Sequence, residues 1–194
     1  MQRFSQRDKL WAKEKLGTCN YTIGSHGCFI SSLGMLSYIP PVIVNERFLE
    51  LGGYKNGCSV DSEAAARILR LQYDGKTTVK PDFPCIAETH DMDNDSTYEK
   101  EQHFFVFLPL GGGDYMIDPW EKADVIDMKP LKYNIVSYRL FHERDLKGVG
   151  KWWSGERPDD VALRHEAFSS FASQFEEHLK REYHIDKIND LLNG

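Results

Sequence analysis

Two side chains in this chain could share nucleophilic chemistry: a cysteine where a loop becomes a helix, and a histidine that opens an apolar strand. Cys28 ends the run Ile23-Gly24-Ser25-His26-Gly27-Cys28 and leads into Phe29-Ile30-Ser31-Ser32-Leu33-Gly34-Met35-Leu36. The first run reads as a glycine-punctuated loop, in which Gly24 and Gly27 permit backbone angles that other residues resist. The second has apolar residues at positions 29, 30, 33 and 36, the spacing of a buried helix. Unpaired N–H groups and the dipole at a helix start stabilise an anion, and a thiolate is an anion. Cys28 is therefore placed to act as a nucleophile. A lone cysteine is more often a small core residue, so the case depends on its partners.

Cysteine catalysis needs a base, a group that orients the base, and donors for the oxyanion. His103 starts the apolar run His103-Phe104-Phe105-Val106-Phe107-Leu108, which predicts a buried strand. Gly111-Gly112-Gly113-Asp114 predicts a hairpin turn, and Tyr115-Met116-Ile117-Asp118 the returning strand, ended by Pro119-Trp120. Antiparallel pairing through that turn puts His103 and Asp118 at the same end of the ladder. An imidazole and a carboxylate there can hydrogen-bond. Asp118 also suits plain turn chemistry before Pro119. Gln6 reads either as a solvated polar residue or as an amide donor for an oxyanion.

The other histidines fit less well. His26 lies two residues before the nucleophile, too close in sequence to reach round as its base. His90, His142, His165, His178 and His184 fall on loops or on the polar tail. No pair forms the H-E-x-x-H arrangement of a zinc peptidase, and the spacing of Cys19, Cys28, Cys58 and Cys85 matches no zinc pattern. Neither a metal nor a cofactor is expected. Cys28 is the special thiol and the other three read as ordinary ones, with a Cys19–Cys58 bridge left open. Asp91, Asp93 and Asp95 alternate as in a calcium loop, but Ser96 and Gln102 stand where that motif needs Gly and Glu. The stretch reads as a solvated acidic loop.

The elements that must position these residues follow in order. Residues 1–22 predict an irregular arm with a turn at Leu16-Gly17-Thr18. Helices are predicted over 28–39, stopped by Pro40-Pro41, over 42–51, ending near Gly52-Gly53, and over 62–70. Strands are predicted over 84–89, 103–108, 115–118 and 131–141. A helical half followed by an antiparallel half is the α+β pattern. Residues 143–157 predict a polar connector whose strong apolar feature is Trp152-Trp153. Residues 158–194 predict an amphipathic helix with Val161, Phe168, Phe171, Ala172, Phe175 and Leu179 on one stripe. That stripe predicts packing back on the domain, self-association as a homodimer, or a partner contact.

Bulk composition agrees with a folded domain plus an extension. The chain has 194 residues, 41% of them hydrophobic and 12% aromatic, which separates it from disordered sequences. A net charge of −6 argues against nucleic acid as a partner. No apolar run approaches the roughly 18–20 residues that span a bilayer. The polar start Met1-Gln2-Arg3-Phe4-Ser5-Gln6-Arg7-Asp8 lacks a secretory apolar segment, which predicts a cytoplasmic location in the producing cell.

The ordered run Gln…Gly-Cys…His…Asp-Pro resembles the peptidase domain that cleaves double-glycine leaders in bacteriocin exporters, and more closely its stand-alone relatives. These belong to the papain-like cysteine peptidases. The matching pieces are Ser5-Gln6-Arg7-Asp8 with Trp11, Leu16-Gly17, Thr22-Ile23-Gly24 with Gly27-Cys28, Ser31-Ser32-Leu33 and Met35. They continue through Gly52-Gly53-Tyr54, His103-Phe104-Phe105-Val106 and Tyr115-Met116-Ile117-Asp118-Pro119-Trp120. The resemblance covers about residues 3–140, and residues 1–142 are expected to form the domain. It implies a papain-like fold, with Cys28 as nucleophile, His103 as base and acid, Asp118 orienting the imidazole, and Gln6 completing the oxyanion hole. His26 beside the nucleophile, the acidic loop and the tail depart from the pattern.

The expectation is a thiol peptidase or amide hydrolase. Its substrate would be a peptide precursor or the peptide stems of a cell wall. The polar start and the unmatched tail suit a phage enzyme, carried in a virion or released by lysis. Two alternatives stand beside it: a papain-like module kept for binding after catalysis is lost, and an acyl or peptidyl transferase using the same thioester.

Overall fold

The structure, a computed structural model, describes residues 3–90 and 102–143. The expectations placed on the acidic loop, the connector and the tail stripe lie outside the described residues.

Thr22 starts the first helix. Its side chain accepts from the Ser25 N–H while its own N–H donates to Ser25 Oγ, so Ile23–His26 form a short helix, α1. The expected loop is thus largely one helical turn. Its glycines are required for space, not for unusual angles. A Cβ on Gly24 would lie 2.7 Å from the Ala12 carbonyl oxygen, and one on Gly27 would lie 2.4 Å from that of Ile23.

Gly27 joins α1 directly to α2 (Cys28–Ser37). Tyr38 ends α2 in the left-handed region (φ 59°), its N–H returning to the Gly34 carbonyl. The predicted stop at Pro40-Pro41 is corrected: these prolines start α3 (Pro41–Leu51), where a missing N–H costs nothing. Gly52 closes α3 at φ 75°, as expected of a glycine after a helix. A small hairpin follows, β1 (Tyr54–Asn56) with β2 (Ser59–Val60), too short to show alternation. Asp61 caps α4 (Ser62–Leu69) by accepting the Glu63 and Ala64 N–H groups at 3.0 and 3.1 Å.

The second half is a six-stranded antiparallel sheet. Its strands are β3 (Leu71–Thr77), β4 (Cys85–Thr89), β5 (His103–Leu110), β6 (Gly113–Ile117), β7 (Met128–Pro130) and β8 (Ser137–Glu143). The order across the sheet is β3-β8-β4-β5-β6-β7, so the last strand inserts between the first two. Gly111 and Gly112, at φ 58° and 84°, make the predicted turn between β5 and β6. The predicted strand over 131–141 begins later, at Ser137; residues 131–136 lie ahead of it. Strands β3 and β7 were not expected. The first contains Asp74 and Gly75 and is bulged between Tyr73 and Lys76, and the second is three exposed residues.

β5 is buried on both faces, which explains its continuous apolar run. Val106 and Leu108 join Ile30, Leu33, Ile86 and Phe141 in a core against the helices. Phe105 and Phe107 join Cys85, Ala87, Met116, Tyr133 and Tyr138 on the other face. Each of the Val, Leu, Ile, Phe and Met side chains among them contributes about 1.5–3 kcal/mol by leaving water. The fold is α+β, with α2 laid across β4, β5 and β8. Cys19 and Cys58 form a disulfide, Cα to Cα 5.6 Å, which corrects their reading as ordinary thiols and ties the N-terminal arm to the β1–β2 hairpin. No single helix among the described residues is long and apolar enough to cross a membrane.

Candidate active site

Cys28 is the first residue of α2, held there by two backbone bonds at Gly27. The Gly27 N–H donates to Ile23 at 2.8 Å, and its carbonyl accepts from Ser31 at 2.9 Å. Cys28 is buried but for 8% of its surface. The Cys28 side chain acts on the His103 imidazole at close range and favours its charged form. His103 is itself buried, and its Nε2 lies 2.8 Å from Asp118 Oδ1. With Nε2 committed to Asp118, Nδ1 is the nitrogen left for Cys28.

The ladder brings about the second contact. Val106 pairs with Ile117 across β5 and β6, so Asp118 emerges diagonally from His103 at the open end of the hairpin. The carboxylate is buried and fully engaged. Oδ1 also accepts the Trp120 N–H at 2.8 Å, and Oδ2 accepts the Tyr133 hydroxyl at 2.6 Å. Burial disfavours the Asp118 charge, but His103, Tyr133 and the Trp120 N–H outweigh it and hold the carboxyl below its ordinary range. Burial likewise opposes a charge on His103. The Asp118 hydrogen bond and the Cys28 contact prevail and raise the imidazole to about 9.

Gln6 is 1% exposed, which corrects its reading as a solvated residue. Its backbone N–H donates to the Pro119 carbonyl at 2.8 Å, and its side-chain Nε2 donates to the Gly24 carbonyl at 3.1 Å. One residue therefore bridges the Asp118 loop and the turn before Cys28. Reversing the amide would set Oε1 against the Gly24 oxygen, so the orientation is fixed with nitrogen toward the turn before Cys28. The nitrogen keeps a second N–H beyond that bond. Oε1 is buried without a hydrogen-bond partner among the described residues. Neighbours complete the zipper: the Ser5 hydroxyl donates to the Glu121 carbonyl, and the Trp11 indole donates to the Ser5 carbonyl at 2.8 Å.

The four residues predicted from sequence, Gln6, Cys28, His103 and Asp118, thus converge. His26 does not join them. It is exposed, stacked on Tyr21 at 3.9 Å, with Nδ1 2.9 Å from Ser25 Oγ. His90 pairs with Glu88 and His142 with Asp74. Cys85 is fully buried, and burial pushes its thiol up to about 12, so it stays protonated. Among the described residues no group of three or more His, Cys, Asp or Glu side chains gathers as a metal site.

Sequence reasoning missed Tyr133 and the Trp120 N–H. Tyr133 carries no local signal of its role, because its partner lies 15 residues earlier on another element. Compared with family models, with curated proteins and with solved structures, the chain finds no match in any of the three.

Proposed function

We propose that this chain is a papain-like thiol peptidase or amide hydrolase. The observation that carries the reading is a helix-start thiol beside a buried imidazole that is itself hydrogen-bonded to a buried carboxylate. That is the arrangement nucleophilic cysteine catalysis requires.

In the proposed reaction Cys28 Sγ attacks the substrate carbonyl carbon, and the thiol proton resides on His103. The carbonyl oxygen becomes an oxyanion beside the Cys28 N–H and the remaining Gln6 Nε2–H. Collapse breaks the C–N bond. His103 gives its proton to the leaving amine, and a thioester remains. His103 then takes a proton from water as the water oxygen attacks the thioester. The acid product leaves and the thiol is restored. Asp118 holds the imidazole in one orientation and stabilises its charge throughout.

The proposed substrates are a peptide precursor or the peptide stem of a cell wall. The Cys19–Cys58 disulfide supports a place of action outside a reducing cytosol, because such bonds persist in oxidising surroundings. That favours an enzyme released by lysis or carried in a virion over one working in the cytoplasm of its producer.

The test is turnover of candidate peptides and wall stems, with mass spectrometry of the quenched enzyme. A hydroxylamine-sensitive acyl adduct on Cys28, and no hydrolysis by folded Cys28→Ala, is the expected result. Full hydrolysis by Cys28→Ala would end the reading.

A further inference from the structure

We infer that Tyr133 is a positioning residue of this site: its hydroxyl fixes the second oxygen of Asp118, and its ring shields the imidazole–carboxylate pair from water. The inference rests on the catalytic reading of Cys28, His103 and Asp118.

Oδ1 of Asp118 has two partners, His103 Nε2 and the Trp120 N–H. Oδ2 has the Tyr133 hydroxyl at 2.6 Å. Without that bond the carboxylate could rotate about its Cβ–Cγ bond and carry Oδ1 away from the imidazole. The Tyr133 ring stands edge-on to His103, centroids 6.0 Å apart at 80°, and 5.3 Å from the Phe105 ring. Tyr133 is buried in the same cluster as Phe105 and Met116.

The segment that delivers Tyr133 is stapled at both ends. The Leu131 N–H donates to the Asp114 carbonyl at 2.9 Å, and the Val136 N–H donates to the Glu88 carbonyl at 2.8 Å. Tyr133 therefore reaches Asp118 from a fixed frame. A buried carboxylate without its donors costs far more than a satisfied one, so the hydroxyl both stabilises Asp118 and holds Oδ1 on the imidazole. Burial, and then the Asp118 charge, push the phenol well above its ordinary range, so it remains a donor throughout the working pH range.

The ionisable groups that face this assembly are Cys28, His103 and Asp118 within it, Cys85 and Tyr138 in the apolar cluster, and Glu121 and Lys132 at the rim. Lys132 Nζ sits 4.7 Å from the Tyr133 ring centre, and Glu121 is itself bonded to Lys129.

The experiment compares wild-type protein with Tyr133→Phe by NMR titration of the His103 ring and by the rate at which iodoacetamide alkylates Cys28. Loss of the hydroxyl frees the carboxylate to turn away from the imidazole and withdraws support from the charged ring. The His103 midpoint should fall by up to about one pH unit, and the Nε2–H resonance should broaden. Alkylation at neutral pH should slow by about 10-fold. A Tyr133→Phe protein with an unchanged midpoint and rate would overturn the inference, and so would one that only melts at lower temperature. An inert Cys28 in wild-type protein would remove the catalytic reading, and the positioning role with it.

Discussion

Two buried carboxylates lie on the same sheet, Asp118 and Glu88, and they are neutralised in opposite ways. Glu88 Oε2 takes the Arg139 guanidinium at 2.8 Å, the Lys76 ammonium at 3.2 Å and the Ser137 hydroxyl. Its Oε1 takes His90 at 3.0 Å and the Gln102 amide. Among the described residues Asp118 has no permanently charged partner. Its partners are an imidazole, a phenol and a backbone N–H. The β4–β5 register pairs Glu88 with Phe104 and Thr89 with His103, so Glu88 and His103 project from opposite faces.

Both groups bear a desolvation cost, and both are held below the ordinary carboxylate range despite it. The difference is whether the neutralising partner can release its proton. Arg139 cannot, so Glu88 joins β4 to β8 and to Gln102, the residue before His103. His103 can, so the Asp118 pair can do acid–base work. Burial and ion pairing alone do not separate architecture from chemistry.

The largest expected effect breaks the Asp118 side. Asp118→Asn should lower turnover by about 10²–10⁴-fold, through loss of imidazole orientation and charge, with a smaller loss of stability than Glu88→Gln. Steady-state kinetics and calorimetry on one preparation check both halves. Equal loss of stability and activity would erase the contrast.

Glu88→Gln should do the reverse. It leaves the partly buried Arg139 without its anion, at a cost of about 3 kcal/mol in urea unfolding. The protein that remains folded should alkylate at Cys28 as fast as wild type.

The contrast should also appear in stability against pH. The folded value of Glu88 is depressed, so its contribution is present above the unfolded carboxylate value and is lost as pH falls through the folded one. Asp118 adds to that acid limb. The folded value of His103 is raised to about 9, so its contribution is full below the unfolded imidazole value and is lost as pH rises through about 9. Glu88→Gln should flatten the acid limb alone, and His103→Gln the alkaline limb. Thermal melts across pH measure both.

The smallest effect refines the Glu88 cluster. Lys76 is 51% exposed, so its attraction is screened by water. Lys76→Met should cost about 1 kcal/mol or less, far below Glu88→Gln. A larger loss in urea unfolding would mean the charges act as one network.

These contrasts also show what could be read in the chain. Cys28, His103 and Asp118 were legible because each stands on a strong local signal, and two glycines set the β5–β6 register. Gln6 was legible as a candidate, but its burial depends on Pro119 and Gly24, which fold onto it from afar. Tyr133 and the Glu88–Arg139 pair were not legible, because β8 enters the sheet between β3 and β4 and nothing local encodes that insertion. Gly24 and Gly27 were recognised as necessary for the wrong reason. Their constraint is the approach of Ala12 and Ile23, which the pattern of the loop does not reveal.

The central claim is that Cys28 is an activated nucleophile served by His103. Site-resolved labelling of the intact protein with iodoacetamide at neutral pH tests it most directly. Cys28 should label rapidly and Cys85 should not, since burial keeps that thiol protonated. His103→Ala should slow Cys28 labelling by about 10-fold or more while the fold is retained. Labelling of Cys28 that is no faster than that of Cys85, or that is indifferent to His103→Ala, would contradict the account.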